Sequence, residues 1–227
     1  KHTALIELLD KLGIEIFEQK LGHSAIYESI STSPPQLVQL GPNEAPSYRI
    51  KGGSDSLIKA LASNLSKDQI KLGEVVKAVK LENHELHVET LNSVFVAEKV
   101  VSTLPPFLLT EKISFQPKLV NEILEVSKQT HTWMGESIKV ALSFKAPFWN
   151  DLNLSGTIIS NVGPIPEMYD HSDFENKRFA LMGFLNGAYF NQTREERKSI
   201  VINQLRKYYG KEIDDYIQYH ELVWRNE

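Results

Sequence analysis

The sequence predicts an α+β protein, a mixed and largely antiparallel sheet with helices packed against it. Three observations predict it. Short β-branched runs separated by turn residues fill the middle of the chain, and one of them, Ile138 to Phe144, alternates strictly. A few flanking segments carry helical spacing between recognisable start and stop signals. The composition is that of a globular chain: 227 residues, 41% hydrophobic, 24% charged and a net charge of −4, enough to bury a core without staples.

That composition excludes disorder, collagen and membrane spans. The absence of cysteine removes disulfides, Cys-ligated metals and a thiol nucleophile, and fits a cytoplasmic location. A mildly acidic balance without a basic cluster argues against nucleic acid or an anionic membrane as partner. The chain starts at Lys1 without a signal-peptide pattern and stops at Glu227 just after an apolar stretch, so it reads as an internal piece of a longer protein.

In chain order, Ala4, Leu5, Leu8, Leu9 and Leu12 fall at helical spacing, with Gly13 placed for a left-handed cap. Ile14 to Phe17 and Ala25 to Tyr27 read as strands around a turn at Gly22. The run from Ser31 to Ser47, with Pro34, Pro35, Pro42 and Pro46, reads as a loop or extended connection. Gly52-Gly53-Ser54-Asp55 then leads into a helix carrying Leu57, Ile58, Leu61, Ala62 and Leu65 on one face, expected to pack on a sheet. Strands follow at Val75–Val79, Glu85–Thr90, Ser93–Val96 and Lys99–Thr103, the last continuous enough to suggest burial on both faces. A helical patch spans Val120 to Val126. Beyond the alternating strand, Gly156–Ile159 and Phe179–Leu185 are strand-like, and Thr193-x-x-Glu196 is a capping box opening a helix that ends before Gly210.

The inventory of chemistry is thin. No Gly-x-Gly-x-x-Gly, no phosphate-binding loop, no His-Glu-x-x-His and no Gly-x-Ser-x-Gly occurs. Gly52-Gly53 is either plain turn geometry or a close approach to a phosphate. His84 and His87, at a turn entering a strand, point to opposite faces, so no metal site is expected. Lys139 has small strand neighbours on its face, Ser137, Ala141 and Ser143, which leave room for a flat ligand. It is either a solvated lysine on the wet face or one whose ammonium, directly or through a water, serves a cofactor. Trp133, Phe148, Trp149 and Trp224 are core or substrate cage.

Several runs together resemble the flavin-containing amine oxidase family, the monoamine and polyamine oxidases. Met134-Gly135-Glu136-Ser137-Ile138-Lys139-Val140, continuing to Lys145-Ala146-Pro147-Phe148-Trp149, is similar to the family's glycine, lysine-bearing strand and "PFW" turn. Ser155-Gly156 and Ala180 to Phe184 follow in family order. Thr3 to Phe17 resembles the family's "LLxLLxxLGIExF" helix and strand, Ile50 to Ser54 its Gly-Gly turn, and Lys71 to Val79 its adenine-side strand. Val100 to Pro106 is similar to its "VIxTxPP" strand end, and Glu195 to Tyr209 with Glu221 to Trp224 to its late helix and tryptophan strand.

The resemblance implies FAD as cofactor, a small-molecule amine as substrate, and oxidative deamination with flavin and oxygen. Related activities on polyamines, amino acids, porphyrinogens or carotenoids, and a non-catalytic binding domain, remain open beside it. It implies that residues 1–46 and 107–227 form the substrate-binding domain and 47–106 the middle of the FAD-binding domain. Lys139 would hold a water near the flavin N5, Val75 would offer its backbone to the adenine, and Gly52, Gly53, Thr103 and Pro105 would complete the cofactor side. The pyrophosphate motif and the flavin-side aromatic pair fall outside this chain, which alone is expected to bind FAD weakly and not to turn over. The Pro-rich run stands where many members carry a helical insertion, so the roof of the site would be built differently.

Overall fold

The computed structural model describes residues 2–41, 46–132, 135 and 137–224. In chain order the elements are α1 (Thr3–Lys11), β1 (Ile16–Glu18), β2 (Ser24–Glu28), β3 (Gln36–Gln39), β4 (Tyr48–Ile50), α2 (Ser54–Ala62), β5 (Val76–Glu82), β6 (Glu85–Thr90), β7 (Val94–Ala97), α3 (Pro106–Lys112), β8 (Ser114–Gln116), α4 (Asn121–Gln129), β9 (Ile138–Phe144), α5 (Phe148–Asp151), β10 (Ile158–Ser160), β11 (Glu167–Asp170), β12 (Phe179–Leu185), α6 (Arg194–Tyr209) and β13 (Gln218–Val223). Two compact units form: Lys1–Asn64 with Met134–Glu227, and Leu65–Trp133. Among the described residues no helix is long and apolar enough to cross a membrane.

In the first unit the alternation of β9 decides the architecture. Ile138, Val140, Leu142 and Phe144 are at most 5% exposed, while Lys139, Ala141 and Ser143 between them are only half-buried. Period-two burial of this kind gives a sheet one dry face and one accessible face. The sheet has seven strands in the order β13-β9-β12-β11-β10-β2-β3, antiparallel throughout except for the parallel pair β10–β2. On its dry face lies α6, which contributes Val201, Ile202, Leu205 and Tyr209 to one core with Trp149, Met168 and Leu181.

The ends of α6 are set by chemistry legible in its sequence. The Thr193 side chain accepts from the Glu196 amide and the Glu196 carboxylate accepts from the Thr193 amide, a closed capping box, and Gly210 follows with φ +71°. Gln204, buried midway, accepts from the Ile165 amide and donates to the Ile165 carbonyl, both at 2.9 Å. A Cβ at Gly163 would fall 1.8 Å from the Gln204 amide, so a larger residue there would have to push that amide off the Ile165 backbone. Two buried ion clusters pin the sheet to the same helix. Arg197 pairs with Glu221 at 2.6 Å, and Glu28 accepts from Lys207, Tyr208 and Ser160.

The second unit is a four-stranded sheet, β7-β6-β5-β8, with β8 parallel to β5, joined by α3 and α4. The two compact units divide at 64/65 and 133/134. The reason is local pairing. β4 binds back to β1, holding the Gly-Gly turn and α2 in the first unit, and β8 pairs with β5, holding α3 in the second.

Several expectations need correction. The Pro-rich run contains a strand, β3, which lies at the edge of the large sheet, where flanking prolines cost no ladder bonds. Lys99 to Thr103 is not a strand and is not buried: no strand of the described chain pairs with it, and Val101 is 88% exposed. α2 starts after Gly53 with no side-chain cap, and none of its residues is fully buried. Trp149 is core at 0% exposure, Trp224 is exposed, and Trp133 lies outside the described residues, as do Met134 and Glu136.

Because Leu142 is wholly enclosed, Leu142→Ala should cost about 2–5 kcal/mol by denaturant unfolding, the range for emptying a packed site. Leu37→Ala, at a position 55% exposed, should cost under about 0.5 kcal/mol. Equal losses at the two positions would contradict the assignment of the core.

Candidate active site

The accessible face of the large sheet is read directly from its register. Lys139 of β9 pairs with Phe184 of β12 on one side and Leu222 of β13 on the other, and Phe184 pairs in turn with Glu167 of β11. Glu167 pairs with Ile159 and Ile159 with Tyr27, so these side chains form one row across the sheet. Ala141, Met182, Tyr169 and His220 form the next row. Small residues beside Lys139 and apolar ones across from it give a shallow, half-buried surface. Among the described residues the Lys139 ammonium makes no hydrogen bond or ion pair.

Strand β11 and the residue after it carry groups that sequence reasoning missed. Tyr169 donates to the Glu167 carboxylate at 3.0 Å, and burial with that carboxylate pushes the phenol up to about 12. His171 follows on the same side, its amide bonded to the Ala180 carbonyl at 2.7 Å, and its Nδ1 is buried without a partner. Burial first, then the charges of Arg49 and Lys139, bring its imidazole down to about 4 against the opposing pull of Asp170. Arg49 comes from β4. It donates to the carbonyls of Ser172 at 2.6 Å and His171 at 3.2 Å and lies 5.0 Å from the Phe17 ring centroid, so its charge is held in place.

On the dry side Asp170 accepts from Trp149 Nε1 at 3.1 Å and from the Ser172 amide at 2.7 Å, which fixes the end of β11. The signal that could have revealed this strand is the period-two set Glu167, Tyr169, His171. It was obscured because the intervening inward position 170 is an aspartate, buried by hydrogen bonds rather than by hydrophobicity.

The sequence-predicted residues fall in separate places. Gly52 and Gly53 sit in the turn between β4 and α2 with φ of +82° and +85°, in the same unit as Lys139 but on a different element. A Cβ at Gly53 would meet nothing within 4 Å, so its backbone is open. Val75, just before β5, is 52% exposed and belongs to the second unit with Thr103 and Pro105. Thr103 is exposed, and the Pro105 carbonyl accepts the Leu109 amide at the start of α3. A polar cleft of about 270 Å³ is lined by Lys20, His23, Asn150, Asp170 and Ser172, and Lys139 is not part of it.

The profile of the flavin containing amine oxidoreductases matches residues 7–227, and the chain belongs to that family. A probable flavin-containing monoamine oxidase A of Dictyostelium discoideum is 26% identical over 184 residues, covering 79% of this chain and 40% of its own length. A putrescine oxidase of Kocuria rosea is 28% identical over 194 residues, with the same coverage of 79% and 40%. A solved putrescine oxidase bound to putrescine superposes with a TM-score of 0.82 at 20% identity, over 96% of this chain and 71% of that one, which establishes the fold. The chain thus spans about 40% of the length of these curated relatives.

FAD is the cofactor that membership implies. The residues present fit part of it: an ammonium without a partner among the described residues, on a half-buried face, suits the edge of a flat ring, and the open Gly53 backbone permits close approach.

The depressed His171 value carries a pH prediction. The imidazole is neutral in the folded state down to about 4, whereas an unfolded histidine titrates near 6.5. Its contribution to stability is therefore complete above the unfolded value and is lost as pH falls from there toward 4. His171→Gln should flatten the decline of unfolding free energy across that interval, and an unchanged slope would contradict the buried, neutral state.

Proposed function

We propose that the protein containing this chain is an FAD-dependent amine oxidase, which converts a small amine to its imine with flavin as oxidant and oxygen as final acceptor. The observation that carries the proposal is the Lys139 ammonium on the accessible face of β9, which has no partner among the described residues, is flanked by Ala141 and is paired across to Phe184. FAD, when bound, supplies the acceptor for the hydride taken from the carbon next to nitrogen. Lys139 would hold a water beside the ring, and the apolar part of its face would exclude bulk solvent from the reacting carbon. The imine leaves and is hydrolysed without a protein nucleophile.

We assign the large sheet, within residues 1–46 and 107–227, to the substrate side, and residues 47–106 to the cofactor side, where Val75, Gly52, Gly53, Thr103 and Pro105 would contact FAD. Support for an amine comes from the relatives, named for monoamines and for putrescine. This piece alone is expected to hold little FAD, since the pyrophosphate-binding fingerprint is absent from its sequence.

The full-length protein should be yellow and should lose its flavin colour anaerobically with one or more of a panel of amines. A colourless product would support the non-catalytic binding domain instead, and a flavin that no amine reduces would move the assignment to another substrate. Lys139→Met should slow flavin reduction or reoxidation by roughly tens-fold in stopped flow, as expected for loss of a positioned proton-handling group. An unchanged rate would return Lys139 to a solvated wet-face role.

A further inference from the structure

Resting on the amine-oxidase reading, we infer that Arg49 is a positioning residue for amine binding: by holding the backbone just past β11, it sets where that strand presents its strip of side chains on the face that carries Lys139. The need for such a hold follows from the ladder. β10 pairs with β11 at Glu167 and Met168, whereas β12 pairs with it from Glu167 to Asp170. From Tyr169 onward β11 therefore has one strand neighbour among the described residues, and the carbonyls that follow take donors from elsewhere.

Those donors come from the β1–β4 ribbon. Gln19, directly after β1, donates to the Asp170 carbonyl at 2.6 Å, and Arg49 of β4 donates to the His171 carbonyl at 3.2 Å and the Ser172 carbonyl at 2.6 Å. Three successive carbonyls are thus satisfied by two ribbon side chains. Ribbon and turn also meet through their rings: Phe17, which lies under the Arg49 guanidinium at 5.0 Å, is 5.4 Å from the Phe174 ring between centroids. Arg49 is half-buried, and its planar fork serves two carbonyls in one fixed geometry, which the point charge of a lysine does not reproduce. Tyr169, two residues before this hold, stands in one row with Met182 and Ala141, next to the row of Lys139. Release of the end of β11 shifts Tyr169 against that row, and a misplacement of about 1 Å at a binding face is costly. Arg49 faces backbone, so it acts through the strand rather than on the amine.

The test uses the full-length, flavin-loaded protein and whichever amine of a panel reduces its flavin fastest. Arg49→Met and Arg49→Lys are compared with the wild type in kcat and KM, in the dissociation constant of that amine with the flavin chemically reduced under anaerobic conditions, and in hydrogen–deuterium exchange. In Arg49→Met, KM and the dissociation constant should rise roughly 10-fold or more, with a smaller change in kcat. Amides of residues 167–178 should exchange roughly 10- to 100-fold faster, the range for one lost charge-assisted hydrogen bond, while those of β9 keep their wild-type rates. Arg49→Lys, which keeps the charge and loses the fork, should fall between the two. If Arg49→Met does not fold, Gln19→Leu, which removes only the neutral donor to the Asp170 carbonyl, carries the same test with a smaller rise. Unchanged kinetics and binding in a folded variant, or faster exchange without weaker amine binding, would overturn the positioning role and leave the amine-oxidase reading standing. A flavin that no amine reduces overturns that reading and this inference with it.

Discussion

The pleat of β9 is the constraint on which the first unit depends. Four large apolar side chains must leave water, and the period of a strand sends the residues between them to the opposite side. Once Ile138, Val140, Leu142 and Phe144 are committed to the core under α6, Lys139 can only stand on the accessible face. A slip of one residue would bury the ammonium and expose the core, at a cost far beyond the few kcal/mol by which proteins are stable. The position of the candidate functional lysine is thus enforced by hydrophobic burial elsewhere on the same strand.

The rest of the unit holds that strand in register. β12 and β13 flank it, Gln204 ties α6 to the backbone at Ile165, and Arg197 with Glu221 closes the β13 edge against the helix in a nearly dry ion pair. Such a pair adds little net stability over apolar packing, yet losing either partner would leave a buried charge, so it specifies one arrangement. Asp170 does the same for β11, which lets Glu167 and Tyr169 reach the accessible face from a fixed strand, with His171 directly after it.

The parts of this fold legible in the sequence were those where one physical signal dominated. β9 and β12 announced themselves by apolar periodicity, α1 and α6 by spacing and caps, and Lys139 by its small strand neighbours. What stayed hidden depended on tertiary partners. β3 looked like a proline-rich loop because an edge strand tolerates such neighbours, and no strand was expected at β11, where a hydrogen-bonded aspartate fills an inward position. Lys99–Thr103 failed the other way, since an apolar run becomes a strand only when a neighbour completes its ladder. Arg49 and His171 could not be joined by sequence reasoning at all, because 122 positions separate them and only the β1–β4 ribbon brings the guanidinium to the end of β11.

Burial thus fixes the lysine, polar contacts fix the neighbouring strip, and family membership supplies the flavin toward which both would face. A crystal structure of the full-length protein with FAD bound tests this most directly. A single water bridging Lys139 Nζ and the flavin ring, over the half-buried face of β9, is the predicted result. A ring lying elsewhere, with the ammonium turned to bulk solvent, would contradict it.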